Sequence, residues 1–416
     1  MKHALLVVSL LDGKGLSGME TQFSNILRHA RLHEIDTELV SPCPRKGIGQ
    51  RCASVFTRAL AGSAPERIAI FDAWVERKTI EGKLGELVSR YAALGRTITL
   101  CAHDPLSTQA ALRFKVTHGC RVVIVIHHHL SVAEESPMTG GATRDGLAWQ
   151  FALRTKCPAL LQVDHIIFVS DFMRKLTLER MPELGRVSHS VIPNFVDEPP
   201  VPDAAPDCDA DLIAIGTLEP RRNYAFLFRI LSNAAKLGHR YTLTLVGDGP
   251  EAARLQALAN ELGIAQQVRF GGSRRNAGNL IARHRVLAQT APIENMPLTL
   301  IEALATGRPI LAPAVGGITE IFEHGVEGYH WPLQDADAAA AMLIDLLGKP
   351  DIYQRFSRAA SLRYRSKSGG DLLIAHWLTT VLNSHGSNHA GWQKTWIPAR
   401  TAEPHVTQTR AAKESQ

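Results

Sequence analysis

The sequence predicts an α/β protein made of two doubly wound, Rossmann-like domains. Three observations carry this reading. Short apolar runs of strand length alternate with helical patterns along most of the chain. That alternation breaks once, at 197–211, where Pro199, Pro200, Pro202 and Pro206 stand among five aspartates in a stretch too polar for strand or helix. The length, 416 residues, exceeds one ordinary domain and suits two.

Taken in order, the first half offers strands at 4–11, 37–41, 67–71, 97–101, 121–126 and 165–169, with 187–192 closing the set. Helical patterns such as 20–31 and 79–93 lie between them. Strands separated by helices imply a parallel sheet with right-handed crossovers. A first domain therefore spans 1–196, and 197–211 is the linker. Beyond it the alternation restarts, with strands at 212–216, 241–246, 267–270, 285–289 and 309–312. Helices are expected at 224–237, 251–262, 297–306, 318–323 and 335–347, which sets a second domain at 212–350. Residues 351–384 read as helical, while 385–416 lack periodicity and read as a disordered tail. In sheets of this kind ligands sit at the carboxyl ends of the strands.

Composition narrows the function classes. With 45% apolar and 21% charged residues the chain reads as an ordinary globular protein, and no apolar run approaches the ~20 residues of a membrane helix. The apolar start has a faint signal-peptide look, but Asp12 and Gly13 follow without a small-residue cleavage site, so a first buried strand explains it better. Six cysteines without C-x-x-C or metal spacing read as reduced thiols of a cytosolic protein. The net charge of +6 is lopsided: residues 1–195 carry 24 Lys and Arg against 18 Asp and Glu, while 196–416 carry 22 of each. Aromatic residues are only 6% and no nucleic-acid motif appears, so an anionic acceptor or an anionic membrane surface suits the basic half better than nucleic acid, and a merely scattered basic surface suits it equally well.

The stretch 290–311 is the most informative. Glu294 and Glu302 stand eight apart. Pro297 can open a helix, Leu298, Leu300, Ile301, Leu304 and Ala305 supply its apolar face, and Gly307 with Pro309 stops it. Glu294 then lies in the loop before the helix and Glu302 in its second turn, about 8 Å further along at ~1.5 Å per residue. The loop Glu294-Asn295-Met296-Pro297 puts free N–H groups at a helix N-terminus, a site for phosphate. Next comes Val315-Gly316-Gly317-Ile318-Thr319-Glu320, whose paired glycines permit a tight turn and close backbone approach. This run, through Glu323-His324-Gly325-Val326-Glu327-Gly328, resembles the donor-binding motif of family 4 glycosyltransferases with the GT-B fold, in which two Rossmann-like domains face each other across a cleft.

Other segments extend the resemblance. Ser17-Gly18-Met19-Glu20 is similar to the family's Gly-Gly-x-Glu loop, with Ser17 for the first glycine. Three histidines, His127, His128 and His129, end a buried strand; adjacent residues on a strand point to opposite faces, so at most two could share a metal. The family has a histidine here that touches the donor sugar, and His127 matches it best, His128 second. Segment 215–223 resembles the phosphate-binding segment: Arg222 falls on the family's lysine, Arg221 is beside it, and Thr217 replaces the family's arginine. The helical 351–384 segment is implied to return to the first domain.

The resemblance implies a retaining transfer of a hexose from a nucleoside-diphosphate sugar to a sugar or lipid-linked acceptor, in bacterial-type polysaccharide or glycolipid synthesis, with no metal or other cofactor. Arg222 and the segment Asn295, Met296, Pro297 and Leu298, through its free N–H groups, form the implied diphosphate site, joined by Ser17, Gly18 and Arg221. Glu294 is placed at the sugar, Glu302 at the ribose, and His127 across the cleft. Two other classes compete. Gly13-x-Gly15-x-x-Gly18 is formally a dinucleotide fingerprint of an NAD(P) oxidoreductase, yet Asp36 and Glu38 fall before and early in the second strand, not at its end. The missing arginine at Thr217 leaves room for a non-catalytic sugar-nucleotide-binding partner, and an epimerase of the same fold is a third alternative.

Overall fold

The computed structural model describes residues 2–13, 18–42, 65–127, 158–197 and 209–382. Lys14, Gly15, Leu16 and Ser17, His128 and His129, most of the linker and the 385–416 tail lie outside the described residues.

The first half holds β1 (His3–Val8), α1 (Gly18–Leu32), β2 (Asp36–Val40), α2 (Pro65–Ala93), β3 (Thr97–Ala102), α3 (Pro105–His118), β4 (Arg121–Ile126), β5 (His165–Phe168), α4 (Asp171–Arg180) and β6 (His189–Val191). All neighbouring strands pair in parallel, in the order β2-β1-β3-β4-β5-β6. The run 67–71, expected as a strand, is instead part of α2. A five-residue apolar run carries too little period to tell strand from helix. Pro65 at the start suits a first helical turn, where its missing N–H costs nothing.

The second half holds β7 (Ala210–Ile215), α5 (Tyr224–Lys236), β8 (Leu243–Val246), α6 (Ala252–Glu261), β9 (Val268–Gly272), β10 (His284–Ala288), α7 (Leu298–Ala305), β11 (Ile310–Ala312), the short α8 (Ile318–Ile321), β12 (Gly328–His330) and α9 (Ala336–Gly348). The order β12-β11-β10-β7-β8-β9, again parallel, is that of a doubly wound sheet whose connections reverse between β7 and β10. That reversal opens a crevice at the strands' carboxyl ends. The core of this half is apolar: Leu212, Leu243, Leu245, Val286 and Leu311 cluster with residues of α5 and α9 and with Trp331, whose indole N–H donates to Gln289 O at 3.0 Å.

The chain then runs through α10 (Pro350–Arg363), a π-helical stretch at Tyr364–Ser368, and α11 (Gly370–Leu382). Tyr364 donates to Val196 O at 2.9 Å, and Gly369 bridges to Val196, beside the start of the linker. Helix α11 packs on α1 and β3. Arg121 donates to Val381 O at 3.0 Å and Thr380 O at 3.3 Å, satisfying carbonyls at the end of α11 that have no intrahelical partner. Among the described residues no helix is long and apolar enough to cross a membrane.

Candidate functional site

The site is built around α7. Leu298, Leu300, Ile301, Ala303 and Leu304 are all buried, so this helix is locked into the core on nearly every side. Pro297 turns out to sit one residue outside it, at the N-cap, where its backbone is extended. At the other end Gly307, with φ +63°, lets Arg308 N–H reach Ala303 O (2.8 Å) and Gly307 N–H reach Leu304 O (3.0 Å). Those two bonds close the helix in the left-handed cap that glycine permits.

The loop 294–298 is bound from both halves of the molecule. Its own half contributes the glycine turn: Gly317 N–H donates to Glu294 O at 3.0 Å. A Cβ on Gly316 would fall 1.9 Å from Glu294 O, and one on Gly317 1.6 Å from Asn295 O. No side chain fits at either position. The first half contributes three contacts: Asn295 Nδ2 donates to His127 O at 2.7 Å, Asn194 Nδ2 donates to Met296 O at 2.9 Å, and a Cβ on Gly18 would lie 3.3 Å from Leu298 Cδ1. Gly18, His127 and the 294–298 loop are thus neighbours, as the sequence suggested, at the carboxyl edges of both sheets.

The glycine turn also carries a bridge that the sequence did not reveal. Glu320, on α8, accepts from Asp171 N–H (2.9 Å) and Phe172 N–H (2.7 Å), the free amides at the start of α4. A carboxylate from the second half therefore caps a helix of the first, beside the N-cap Ser170, whose hydroxyl accepts from Met173 N–H at 3.1 Å. Glu320→Ala is expected to lower stability by about 1–2 kcal/mol, the range for a lost charged cap. The check is a fall in the denaturant midpoint at unchanged m-value; an unaltered midpoint would show that the cap contributes nothing.

Two charged groups meet at the β7–β10 reversal. Arg222 NH1 forms an ion pair with Glu294 Oε1, both side chains mostly buried. Arg222 is held in place by Thr290, whose hydroxyl donates to Arg222 O at 2.9 Å. Its Nε is buried with no hydrogen-bond partner among the described residues. Arg221 turns the other way and pairs with Glu219 at 2.6 Å. Burial of Glu219 is outweighed by that hydrogen bond and charge, and its carboxyl titrates below the ordinary range.

Glu302 is the counterpart on the far side of α7. Its carboxylate lies against the chain at 278: a Cβ on Gly278 would fall 2.3 Å from the carboxyl carbon. It has no ion pair or hydrogen-bond partner among the described residues for its carboxylate, and burial pushes its carboxyl up to about 7 from an ordinary 4.5. The proton is thus held more tightly in the folded than in the unfolded chain. Stability attached to it is complete below pH ~4.5 and is lost as pH rises through about 7, to a ceiling of about 3 kcal/mol at 1.36 kcal/mol per unit. Glu302→Gln should therefore match the wild type in thermal stability near pH 5 and exceed it near pH 8. Parallel unfolding curves across that range would contradict a desolvated, unpaired carboxyl.

On the first sheet, His127 follows β4 directly and is buried, 8% exposed. Its Nε2 lies 2.8 Å from Nδ1 of His103, which follows β3. His103 was not singled out from the sequence; a His-Asp pair at the end of an expected strand was the available signal. The acids that a dinucleotide reading would need are otherwise engaged: Asp36 pairs with Arg96 at 2.7 Å and Glu38 with Arg90, both within β2 and not at its end. Among the described residues no group of three His, Cys, Asp or Glu is arranged to hold a metal ion.

Comparison with known proteins bears on this arrangement. Residues 16–198 match the family model described as Glycosyltransferase Family 4, and residues 200–363 that of Glycosyl transferases group 1. An N-acetyl-alpha-D-glucosaminyl L-malate synthase of Bacillus anthracis is 34% identical over 118 residues, 28% of this chain and 31% of that protein. The lipopolysaccharide core biosynthesis glycosyltransferase LpsD of Rhizobium meliloti is 28% identical over 183 residues, 42% of this chain and 52% of that one. The matches thus span about a third and about half of these relatives' lengths. The crystal structure of Anabaena HepE in complex with UDP-glucose superposes with a TM-score of 0.64 at 16% identity, covering 90% of this chain and 99% of that one, a likeness of fold.

Proposed function

The chain belongs to the glycosyltransferases whose family 4 and group 1 models span it in succession, and from that premise we propose that it moves a hexose from a nucleoside-diphosphate sugar to a sugar or lipid-linked acceptor. The fold is GT-B, two doubly wound domains with their carboxyl edges facing. Retention at the anomeric carbon belongs to the same proposal, as does a role in polysaccharide or glycolipid synthesis, the latter supported by the likeness to LpsD, a lipopolysaccharide core glycosyltransferase by name. So does work on the cytoplasmic side, with the basic first domain against an anionic membrane. The proposal needs no metal.

One observation carries the reading: Glu294 precedes α7 and is ion-paired to Arg222 at the β7–β10 crevice, while Glu302 stands within α7, desolvated and, among the described residues, unpaired. Breaking the bond from C1 to the phosphate oxygen sends its electron pair to the diphosphate and leaves a cation-like ring. Arg222, with its unused Nε and a fork suited to phosphate, meets the negative charge together with the first amides of α7. Glu294 accepts from sugar hydroxyls and faces the developing positive charge. Glu302 accepts from the ribose hydroxyls, a role that accounts for an otherwise costly desolvated carboxyl. His127 approaches the sugar from the first sheet. The acceptor oxygen attacks C1 on the same face, and its proton passes to the departing phosphate oxygen, so no separate base is required.

The test is turnover. Incubation with nucleotide sugars and candidate acceptors, read by mass spectrometry, should release nucleoside diphosphate and yield a glycosylated acceptor with retained configuration. Binding without turnover of any donor would favour the non-catalytic partner that Thr217 leaves open. Conversion of donor without acceptor would favour an epimerase.

A further inference from the structure

Behind His127 lies a buried chain of groups that this reading does not use. His103 is 2% exposed. Its ring lies edge to edge with that of His127, nearly coplanar with it and with centroids 5.1 Å apart, and Phe23 packs against it in an edge-on contact at 4.7 Å. His103 Nδ1 lies 2.8 Å from His127 Nε2, and His103 Nε2 lies 3.7 Å from Cys101 Sγ. The adjacent carboxylate does not compete, because Asp104 is spent on Leu10 N–H (2.9 Å), Ser107 N–H (2.8 Å) and the Ser107 hydroxyl (2.7 Å). The carbonyl of His127 is fixed separately by Asn295, at 2.7 Å.

Across the two contacts Cys101–His103 and His103–His127, one placement of the protons suits all three groups. Burial drives the Cys101 thiol up, so it keeps its hydrogen, and lowers His103 to about 3, so the ring is neutral with one N–H. An imidazole lone pair is a far better acceptor than a thiol sulfur. The S–H therefore points at His103 Nε2, and the single ring proton of His103 sits on Nδ1, aimed at His127. A donated N–H requires a bare nitrogen opposite, which places the His127 proton on Nδ1. The reverse polarity would leave a buried S–H without its acceptor and a sulfur in place of a nitrogen.

We propose that His103 is a positioning residue that fixes His127 as the Nδ1–H tautomer, so that His127 meets the donor sugar as a hydrogen-bond donor. The sugar contact rests on the glycosyltransferase reading; the tautomer does not. The second half of the molecule holds the His127 backbone through Asn295, and His103 holds the ring, so the histidine's position is set from both sheets.

The experiment is long-range 15N–1H spectroscopy of the histidine rings in the full chain, with His127→Leu used to assign the signals. The free protein near pH 7 is expected to show a pyrrole-type Nδ1 and a bare Nε2 at His127. An Nε2–H form or an imidazolium there overturns the proposal, whatever the variants do. His103→Asn, whose amide N–H can stand where Nδ1–H stood, should keep the tautomer, and His103→Leu should release it to the ordinarily favoured Nε2–H form. Hydrolysis of UDP-glucose, with water taking the glucosyl group and UDP released, provides the second readout. His103→Leu and His127→Leu should each lower kcat about tenfold or more with little change in KM. The double variant should lose no more than either, and His103→Asn should regain most of the rate. Independent, additive losses overturn the link between the two histidines. If the wild type releases no UDP, the donor reading fails at UDP-glucose while the spectrum still decides the tautomer.

Discussion

Glu294→Gln lowers kcat by about 10²-fold or more while leaving KM for the donor nearly unchanged. That is the scale for losing one preorganised electrostatic group that matters most in the transition state. The amide keeps the size and hydrogen-bonding reach of the carboxylate but cannot oppose the positive charge that grows on the ring. The structure sharpens the expectation. Glu294 is ion-paired to Arg222, so the substitution frees the guanidinium, and free nucleoside diphosphate should bind as well as before or more tightly. Slower chemistry with undiminished diphosphate binding is the expected signature. Near-normal turnover would reduce Glu294 to a partner that holds Arg222 in place.

Arg222→Ala should have the opposite balance and a comparable size. Removing the guanidinium takes away the phosphate's charged donor and leaves Glu294 buried without its partner, an anion facing an anion. Diphosphate affinity should fall about tenfold to a few hundredfold, and kcat/KM by at least as much, since the leaving group is no longer met by positive charge. Lysine at this position should recover part of the loss, as a point charge without the bidentate fork. Thr217→Arg probes the same pocket from its other wall, and should tighten diphosphate binding because Arg221 is drawn off toward Glu219. Calorimetric titration of nucleoside diphosphate into each variant provides the check. Normal binding by Arg222→Ala would move the diphosphate elsewhere.

The sequence made α7 legible because each of its signals is local. Pro297 before it, Gly307 after it and an apolar residue at nearly every position leave one structure open, and Glu294 and Glu302 are placed by spacing alone. The paired glycines at 316 and 317 were readable for the same reason, since only a close backbone approach explains them. What the sequence concealed depends on distant partners. Nothing near Glu320 shows that it will cap α4, and nothing near His103 shows that β3 and β4 set it against His127. The Arg222–Glu294 ion pair joins residues 72 apart, through a turn that periodicity does not resolve. One misread strand and one missed strand have a simpler cause. The 67–71 run was too short to show its helical period, and β12, three residues long, was too short to show any.

The function rests on Glu302 receiving the ribose of a nucleoside diphosphate, and a thermal-shift titration tests this most directly. Wild type and Glu302→Gln are each melted near pH 8 with UDP, GDP, ADP, dTDP, NAD and NADP. At ~100 times its dissociation constant a specific nucleoside diphosphate should stabilise the wild type by ~2.7 kcal/mol. The shift should shrink in Glu302→Gln, whose neutral amide accepts ribose hydroxyls more weakly, and neither dinucleotide should shift either protein. A shift with NAD or NADP, or an equal nucleoside-diphosphate shift in both proteins, would contradict it.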